Sequence, residues 1–342
     1  MLKLFGLVVA CGFCCATAQG EPFDQAYWIA VSSGVVKIEV SRPNGGYYLG
    51  TGVVVDRGKV VTACHVVRGG ARIAVLYAGV RYGAVARNTS AEHDICLLQV
   101  PLLEARPPVL RLTAQLAIGE DVGAIGFSAG ARVHYAHGAV ARLHRYDDGV
   151  VVQGSAAFTS GASGGGLFDA DKRLVGILMF RMRGGGPQYF AAPVEWIAGG
   201  PGDNAGEVGE TMDAEIPAEP FWNRAPDRLP YFMRANMLMN EERWDALQAL
   251  LSEWKRDEPS NAEPVFLAGE LESRQGRTAT ALIEYRKAVA LDPDHALAWT
   301  GLVRESMRSR ELDLARRAYG RLVSLSSALS SRIADEFPEV LQ

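Results

Sequence analysis

The sequence has few cysteines, 5 in 342 residues, and Cys11, Cys14 and Cys15 all fall near the N-terminus. A chain of this size with so few cysteines is not a small fold held together by disulfides. Cys64 and Cys96 are left for the folded region, so at most one bridge can form there. We interpret the pair first as small buried hydrophobic residues and keep a bridge as the alternative.

The sequence also lacks an excess of basic residues, with 35 Lys and Arg against 39 Asp and Glu and a formal net charge of −4. No run of Lys or Arg forms a patch that could follow a phosphate backbone, which argues against a nucleic-acid partner. A long hydrophobic run is missing as well. The apolar stretch from Leu4 to Cys15 is shorter than the ~20 residues that a membrane span needs.

The N-terminus has the pattern of an export signal. Lys3 precedes the apolar stretch, and Ala16-Thr17-Ala18 is a small-x-small cleavage site. We therefore expect a signal peptide over residues 1–18 and a bacterial-type exported protein, periplasmic or extracellular. Val8-Val9-Ala10-Cys11 resembles a lipoprotein cleavage box, so a lipid anchor at Cys11 is the alternative.

Three regions follow the signal peptide. Residues 22–198 alternate short β-rich runs with glycine-marked turns, which predicts an all-β barrel or sandwich. Residues 199–227 are acidic and rich in Gly and Pro, which predicts a flexible linker. Residues 228–342 show helical periodicity.

The helical region repeats itself every 34 residues. The pairs with this spacing are Pro259 and Pro293, Ala281 and Ala315, and Tyr285 and Tyr319. This period resembles the tetratricopeptide (TPR) repeat, a helix-turn-helix unit that stacks to leave a concave face for a protein partner. The alternative is that the helix pairs only pack on the β region and bind nothing.

A glycine-rich stretch, "TSGASGGGL", surrounds Ser163. A serine nucleophile needs a base, a group that orients the base, and backbone donors for the developing oxyanion. The amides of Gly161 and Ser163 can supply the donors. Upstream, "VVTACHVV" places His65 at the end of a β-rich run, and "EHDICLLQV" places Asp94 just before another.

The order His65, Asp94, Ser163 with these flanking residues resembles the chymotrypsin/trypsin-like serine proteases. The short interval from His65 to Asp94 and the closing "YFAAPVEWI" are similar to the HtrA/Deg branch. The resemblance implies a double β-barrel in which Ser163 attacks a peptide carbonyl, His65 transfers the proton and Asp94 orients the imidazole. HtrA proteins usually carry a PDZ domain after the protease, whereas this chain has the helical repeats there.

Ala157, six residues before the serine, stands at the base of the specificity pocket that the resemblance implies. Without an acid there, a small or medium apolar side chain is the expected preference. No cofactor or metal is expected, and His134 and His137 are interpreted as surface residues. The sequence thus predicts an exported serine endopeptidase acting on protein or peptide substrates. The alternatives are a catalytically silent scaffold and a serine esterase with the same triad.

Overall fold

The computed structural model describes residues 22–128, 132–182, 188–198 and 219–342. The expected signal peptide (residues 1–18) and the alternative lipid anchor at Cys11 lie outside the described residues, as do residues 199–218 of the expected linker. Within the described ranges, no helix has both the length and the apolar character to cross a membrane.

A short helix, α1 (Gln25–Ser32), leads into a closed six-stranded barrel. Its strands are β1 (Val35–Ser41), β2 (Tyr47–Asp56), β3 (Lys59–Ala63), β4 (Arg72–Tyr77), β5 (Val80–Ser90) and β6 (Ile95–Gln99), with the one-turn helix α2 (Cys64–Val67) after β3. Alternate residues of β1 point inward, since Val36, Ile38 and Val40 are fully buried. This period of two is that of a strand with one face on a core.

A second closed six-stranded barrel follows. Its strands are β7 (Asp121–Ser128), β8 (Arg132–Tyr146), β9 (Gly149–Gly154), β10 (Gly166–Asp169), β11 (Leu174–Arg181) and β12 (Tyr189–Pro193), and α3 (Glu195–Ala198) closes the region. Strand β11 is buried at every position except Arg181. Val175 belongs to the barrel core, whereas Ile177 packs in a larger cluster shared with the C-terminal helices. The unbroken apolar run of β11 therefore reflects a strand that is covered on both faces.

The C-terminal region is helical. Its helices are α4 (Tyr231–Asn240), α5 (Trp244–Asp257), α6 (Glu263–Arg274), α7 (Thr278–Leu291), α8 (Ala296–Arg308), α9 (Leu312–Leu325) and α10 (Ser327–Glu336). Short 3-10 turns cover Phe221–Asn223, Pro226–Arg228 and Pro338–Leu341. The predicted fold class, a double β-barrel followed by an all-α region, is confirmed.

The helices pack around Tyr285 of α7, which is almost fully buried. A Cβ atom at Gly269 of α6 would lie 2.7 Å from the Tyr285 ring, and one at Gly301 of α8 would lie 2.4 Å from it. Only glycine permits so close an approach, so both neighbouring helices pack directly on the aromatic ring. The Tyr285 hydroxyl donates to Glu270 Oε1 at 2.6 Å, which satisfies its polar end.

The helical region lies directly against the second barrel. The rings of Phe232 in α4 and His144 in β8 stack at 4.4 Å, and Ser326 Oγ donates to Ile118 O at 2.6 Å. Residues 219–227, which the sequence assigns to the flexible linker, are folded into this contact, and Phe221 is fully buried. One hydrophobic cluster extends from the second barrel into the helices. We therefore expect the two regions to unfold together.

Candidate active site

Strand pairing brings His65 next to Asp94. Strands β3 and β6 are antiparallel neighbours, and Ala63 at the end of β3 pairs with Ile95 at the start of β6. The residues just beyond this pair must therefore meet at the end of the barrel, and the Cys64 N–H donates to Asp94 O at 3.0 Å. The one-turn helix α2 then turns His65 over the Asp94 side chain.

The His65 and Asp94 side chains are joined by a short hydrogen bond. Asp94 Oδ2 lies 2.6 Å from His65 Nδ1, and Asp94 Oδ1 accepts the His65 backbone N–H at 2.8 Å. Asp94 is fully buried and sits at φ 59°, a left-handed conformation that aspartate tolerates better than most residues. The carboxylate holds the proton on Nδ1 and leaves Nε2 as a proton acceptor.

A disulfide flanks this pair. Cys64 precedes His65, Cys96 follows two residues after Asp94, and the two cysteines are bonded with their Cα atoms 4.9 Å apart. The first interpretation of the cysteines, as unpaired buried residues, is therefore wrong. The pairing of β3 with β6 brings the two thiols within bonding reach, a contact between distant segments that cysteine spacing alone does not predict.

Ser163 lies in the turn between β9 and β10, where glycine is required at two positions. Gly161 has φ 96° and Gly164 has φ 84°, and a Cβ atom on Gly164 would lie 2.2 Å from Thr51 O. Thr51 of the first barrel donates its N–H to Ser163 O at 3.0 Å and its Oγ1 to Gly161 O at 2.7 Å. The glycines thus allow the turn of the second barrel to pack against the first.

The Ser163 hydroxyl is not bonded to His65. Among the described residues, its hydrogen-bond partner is Met179 O of β11, at 3.3 Å. The structure therefore unites His65 and Asp94 and places Ser163 on an adjoining turn with its hydroxyl directed to another acceptor.

Two backbone amides of the turn are free to bind an anion. Between them, Ala162 N–H donates to Thr159 O at 3.0 Å. Within the described part of the chain, the Gly161 and Ser163 N–H groups have no hydrogen-bond partner. An unpaired amide pair flanking a serine has the donor set that an oxyanion hole requires.

Ala157, the expected pocket residue, follows β9 and is partly buried between the buried Ala156 and Phe158. The residues beside it in the chain carry no charge. Residues 183–187, between β11 and β12, lie outside the described residues.

The sequence did not assign Trp222 or Phe180 to the site. The Trp222 ring meets the His65 ring edge to face at 5.5 Å and stacks on the Phe180 ring at 5.2 Å. The one available signal was the Phe-Trp pair at residues 221 and 222, beyond the acidic segment. A flexible linker has no reason to carry two adjacent large aromatic rings.

His93 also has a structural role that the sequence did not indicate. Its ring stacks on Trp196 at 4.2 Å, and its Nε2 lies 2.6 Å from Asp147 Oδ2. Both partners belong to the second-barrel region. His93 therefore ties the turn that carries Asp94 to the other half of the site.

The chain is similar to known proteins over part of its length. Residues 50–177 match the family described as trypsin-like peptidase domain. Protease Do-like 1, chloroplastic, of Arabidopsis thaliana is 31% identical over 140 residues, which is 37% of this chain and 32% of the relative. The chain thus spans about a third of the length of this curated relative.

Solved protease structures are similar to about half of the chain. The active form of the Rv3671c protease from M. tuberculosis is 24% identical with a TM-score of 0.48, over 51% of this chain and 82% of that chain. The HtrA-type protease AlgW with tripeptide is 26% identical with a TM-score of 0.46, over 51% of this chain and 61% of that chain. Residues 50–177, which span parts of both closed barrels, are thus similar to a trypsin-like peptidase domain.

Proposed function

We propose that the chain is an exported serine endopeptidase in which Ser163 is the nucleophile, His65 the general base and Asp94 the group that orients His65. The observation that carries the proposal is the bond of 2.6 Å between His65 Nδ1 and the fully buried Asp94 carboxylate. A buried carboxylate needs a partner, and one aligned on Nδ1 sets up the other ring nitrogen as a base.

The proposed reaction uses two steps at Ser163. The hydroxyl leaves Met179 O, gives its proton to His65 Nε2, and its oxygen attacks the peptide carbonyl carbon. The Gly161 and Ser163 amides stabilise the oxyanion, and His65 returns the proton to the leaving amine. In the second step, His65 takes a proton from a water molecule, whose oxygen attacks the acyl-enzyme carbonyl. The proton then returns to Ser163 Oγ as the acyl product leaves.

Peptide substrates suit the neighbouring strand edge. Within the described residues, Phe180 and Arg181 of β11 pair with β12, Met179 lies at an irregularity of that pairing, and none of the three pairs with β10. An extended peptide can add to this edge by backbone hydrogen bonds. Its acyl residue, whose carbonyl is attacked, then lies beside Ala157, which favours a small or medium apolar side chain.

The helical region is proposed to be a TPR-like array that recruits a substrate or partner protein. Helices α5, α7 and α9 begin at Trp244, Thr278 and Leu312, 34 residues apart. Three antiparallel helix pairs followed by α10 have the arrangement of stacked repeats with a terminal cap. The proposed export rests on the signal pattern of residues 1–18, which leads to the periplasm or the outside of a bacterial-type cell.

A fluorophosphonate probe tests the catalytic proposal, because it reacts only with an activated serine. We expect the wild-type protein to be labelled and to cleave an unfolded protein such as casein. Ser163→Ala should abolish labelling and lower turnover by roughly 10⁶-fold. Ser160→Ala, which removes an exposed hydroxyl on the same segment, is the matched control and should keep both activities.

The other outcomes separate the alternatives. Labelling with ester hydrolysis and no peptide cleavage would favour the esterase. If no labelling occurs even with unfolded peptide added, the silent scaffold becomes the better account.

A further inference from the structure

The residues 219–224, here called the aromatic strap, follow the acidic segment and bring Trp222 against the His65 ring. Phe221 is fully buried and its ring lies 4.8 Å from that of Tyr146. The Phe221 N–H donates to Glu92 O at 2.9 Å, and Arg224 Nη2 pairs with Glu92 Oε1 at 2.6 Å. The strap is therefore fastened to the turn that carries Asp94.

This fastening fixes Trp222 between His65 and Phe180. The Trp222 ring lies edge to face with His65 at 5.5 Å and parallel to Phe180, with an interplanar angle of 20°. Its Nε1 is buried and, among the described residues, has no hydrogen-bond partner. A phenylalanine would keep an aromatic ring here without burying an unpaired donor. Stability alone therefore does not account for tryptophan at this position.

The position of Trp222 matters for a peptide bound along β11. When the substrate carbonyl carbon reaches Ser163, the backbone that precedes it runs along the free edge at Met179–Arg181. Successive side chains of an extended strand point to opposite sides. The acyl residue points towards Ala157, so the residue before it points the other way, towards His65 and Trp222.

We infer that Trp222 is a specificity-determining residue: it narrows the subsite for the residue that precedes the acyl residue, so that glycine or alanine is accepted there and larger side chains are rejected. This inference rests on the proposed endopeptidase function. On this inference, a residue that follows the acidic segment, Trp222, forms one wall of the substrate-binding cleft.

Exposure of the site argues that Trp222 narrows the cleft and does not seal it. The His65 side chain keeps 30% of its surface exposed, and Trp222 itself is only partly buried. An inhibitory plug would cover the imidazole that a substrate must reach. A wall leaves it open on one side, as observed.

Paired peptide substrates test the inference on the full chain. The two peptides carry the same apolar acyl residue and differ only in the preceding residue, glycine or leucine. Wild-type protein should prefer the glycine peptide in kcat/KM by at least about tenfold, since a narrow pocket rejects extra methylenes by factors of this size. Trp222→Ala should bring the ratio close to one by raising kcat/KM for the leucine peptide. Trp222→Phe, which keeps a ring, should retain most of the preference.

Trp299→Ala is the matched control, because it removes a partly buried tryptophan from α8 and should leave the ratio unchanged. If Trp222→Ala fails to fold, Trp222→Leu is used in its place. A wild-type protein that shows no preference for the glycine peptide would by itself overturn the inference. If Trp222→Ala raises kcat/KM equally for both peptides, Trp222 acts as an inhibitory plug. If it lowers kcat/KM equally for both, the role of Trp222 is structural. Either result overturns the inference. Fluorophosphonate labelling separates the two proposals: without labelling the endopeptidase fails, whereas labelling and cleavage with an unaltered ratio refute only the role of Trp222.

Discussion

His65 and Asp94, at the end of the first barrel, already share two hydrogen bonds, whereas the hydroxyl of Ser163, on a turn of the second barrel, donates a hydrogen bond to Met179 O. Both halves are held firmly through the backbone, so the difference lies in one side chain. The first half is fixed by a buried carboxylate and a neighbouring disulfide. In the second half, the glycines fix the turn and leave the serine side chain free to rotate. Substrate binding is the event that could join the halves, because a peptide occupies the strand edge to which Met179 O belongs.

After the loss expected for Ser163→Ala, the next largest effect is expected from breaking the first half. Asp94→Asn keeps the size of the side chain but removes the charge, so the imidazole can hold its proton on the wrong nitrogen. We expect kcat to fall by roughly 10⁴-fold, as in a characterised triad. The measurement is steady-state hydrolysis of a labelled casein.

Asp171→Asn is the control, since Asp171 is exposed and pairs with Arg173 at a distant turn. A loss of less than about tenfold in Asp94→Asn would contradict the orienting role assigned to Asp94.

A smaller effect is expected from loosening the first half without changing its chemistry. Replacing both Cys64 and Cys96 by alanine removes the disulfide, which spans 32 residues of sequence. Loop-closure entropy predicts a loss of about 4 kcal/mol in the free energy of unfolding. Activity should fall by up to roughly 10²-fold, because misplacing a catalytic group by about 1 Å has costs of this order.

Chemical denaturation and casein hydrolysis measure the two effects. Thiol counting on the denatured chain from residue 19 onwards, without reductant, is the check on the bridge itself. Two free thiols there would rule it out.

The features that short sequence patterns encode could be predicted from the sequence. The alternation of apolar residues predicts the barrels, and the flanks of His65, Asp94 and Ser163 each mark a strand end or a glycine turn. The missed features depend on contacts between distant segments. Trp222 follows an acidic stretch, and its position beside His65 depends on the contacts of Phe221 and Arg224 with Glu92. The direction of the Ser163 hydroxyl is likewise a side-chain rotation that no sequence pattern records.

The contact between the second barrel and the helices provides the smallest predicted effect, a pH dependence of stability. His144 of β8 is buried against Phe232, its Nε2 pairs with Gln153 Oε1 at 2.9 Å, and Arg142 and Glu263 are the nearby charges. Burial lowers the pKa of His144 to about 4, from 6.5 in an exposed histidine. Between pH 4 and pH 6.5, His144 is protonated in the unfolded chain but neutral in the folded protein. Stability is therefore complete above pH 6.5 and falls by about 3 kcal/mol as the pH drops to 4.

The variant His144→Gln keeps an amide that can bond Gln153 but does not titrate. Other groups titrate in the same range, so the difference between wild type and variant is the quantity to measure, by denaturant unfolding at several pH values. We expect the wild-type free energy of unfolding to fall more steeply than that of the variant between pH 6.5 and 4, and the two to run parallel above pH 7. Because one hydrophobic cluster joins the barrel and the helices, both should lose structure in a single transition that shifts with pH. Equal slopes in the two proteins would show that His144 is not held neutral at this contact, and two separate transitions would show that the helices do not support the Ser163 half of the site.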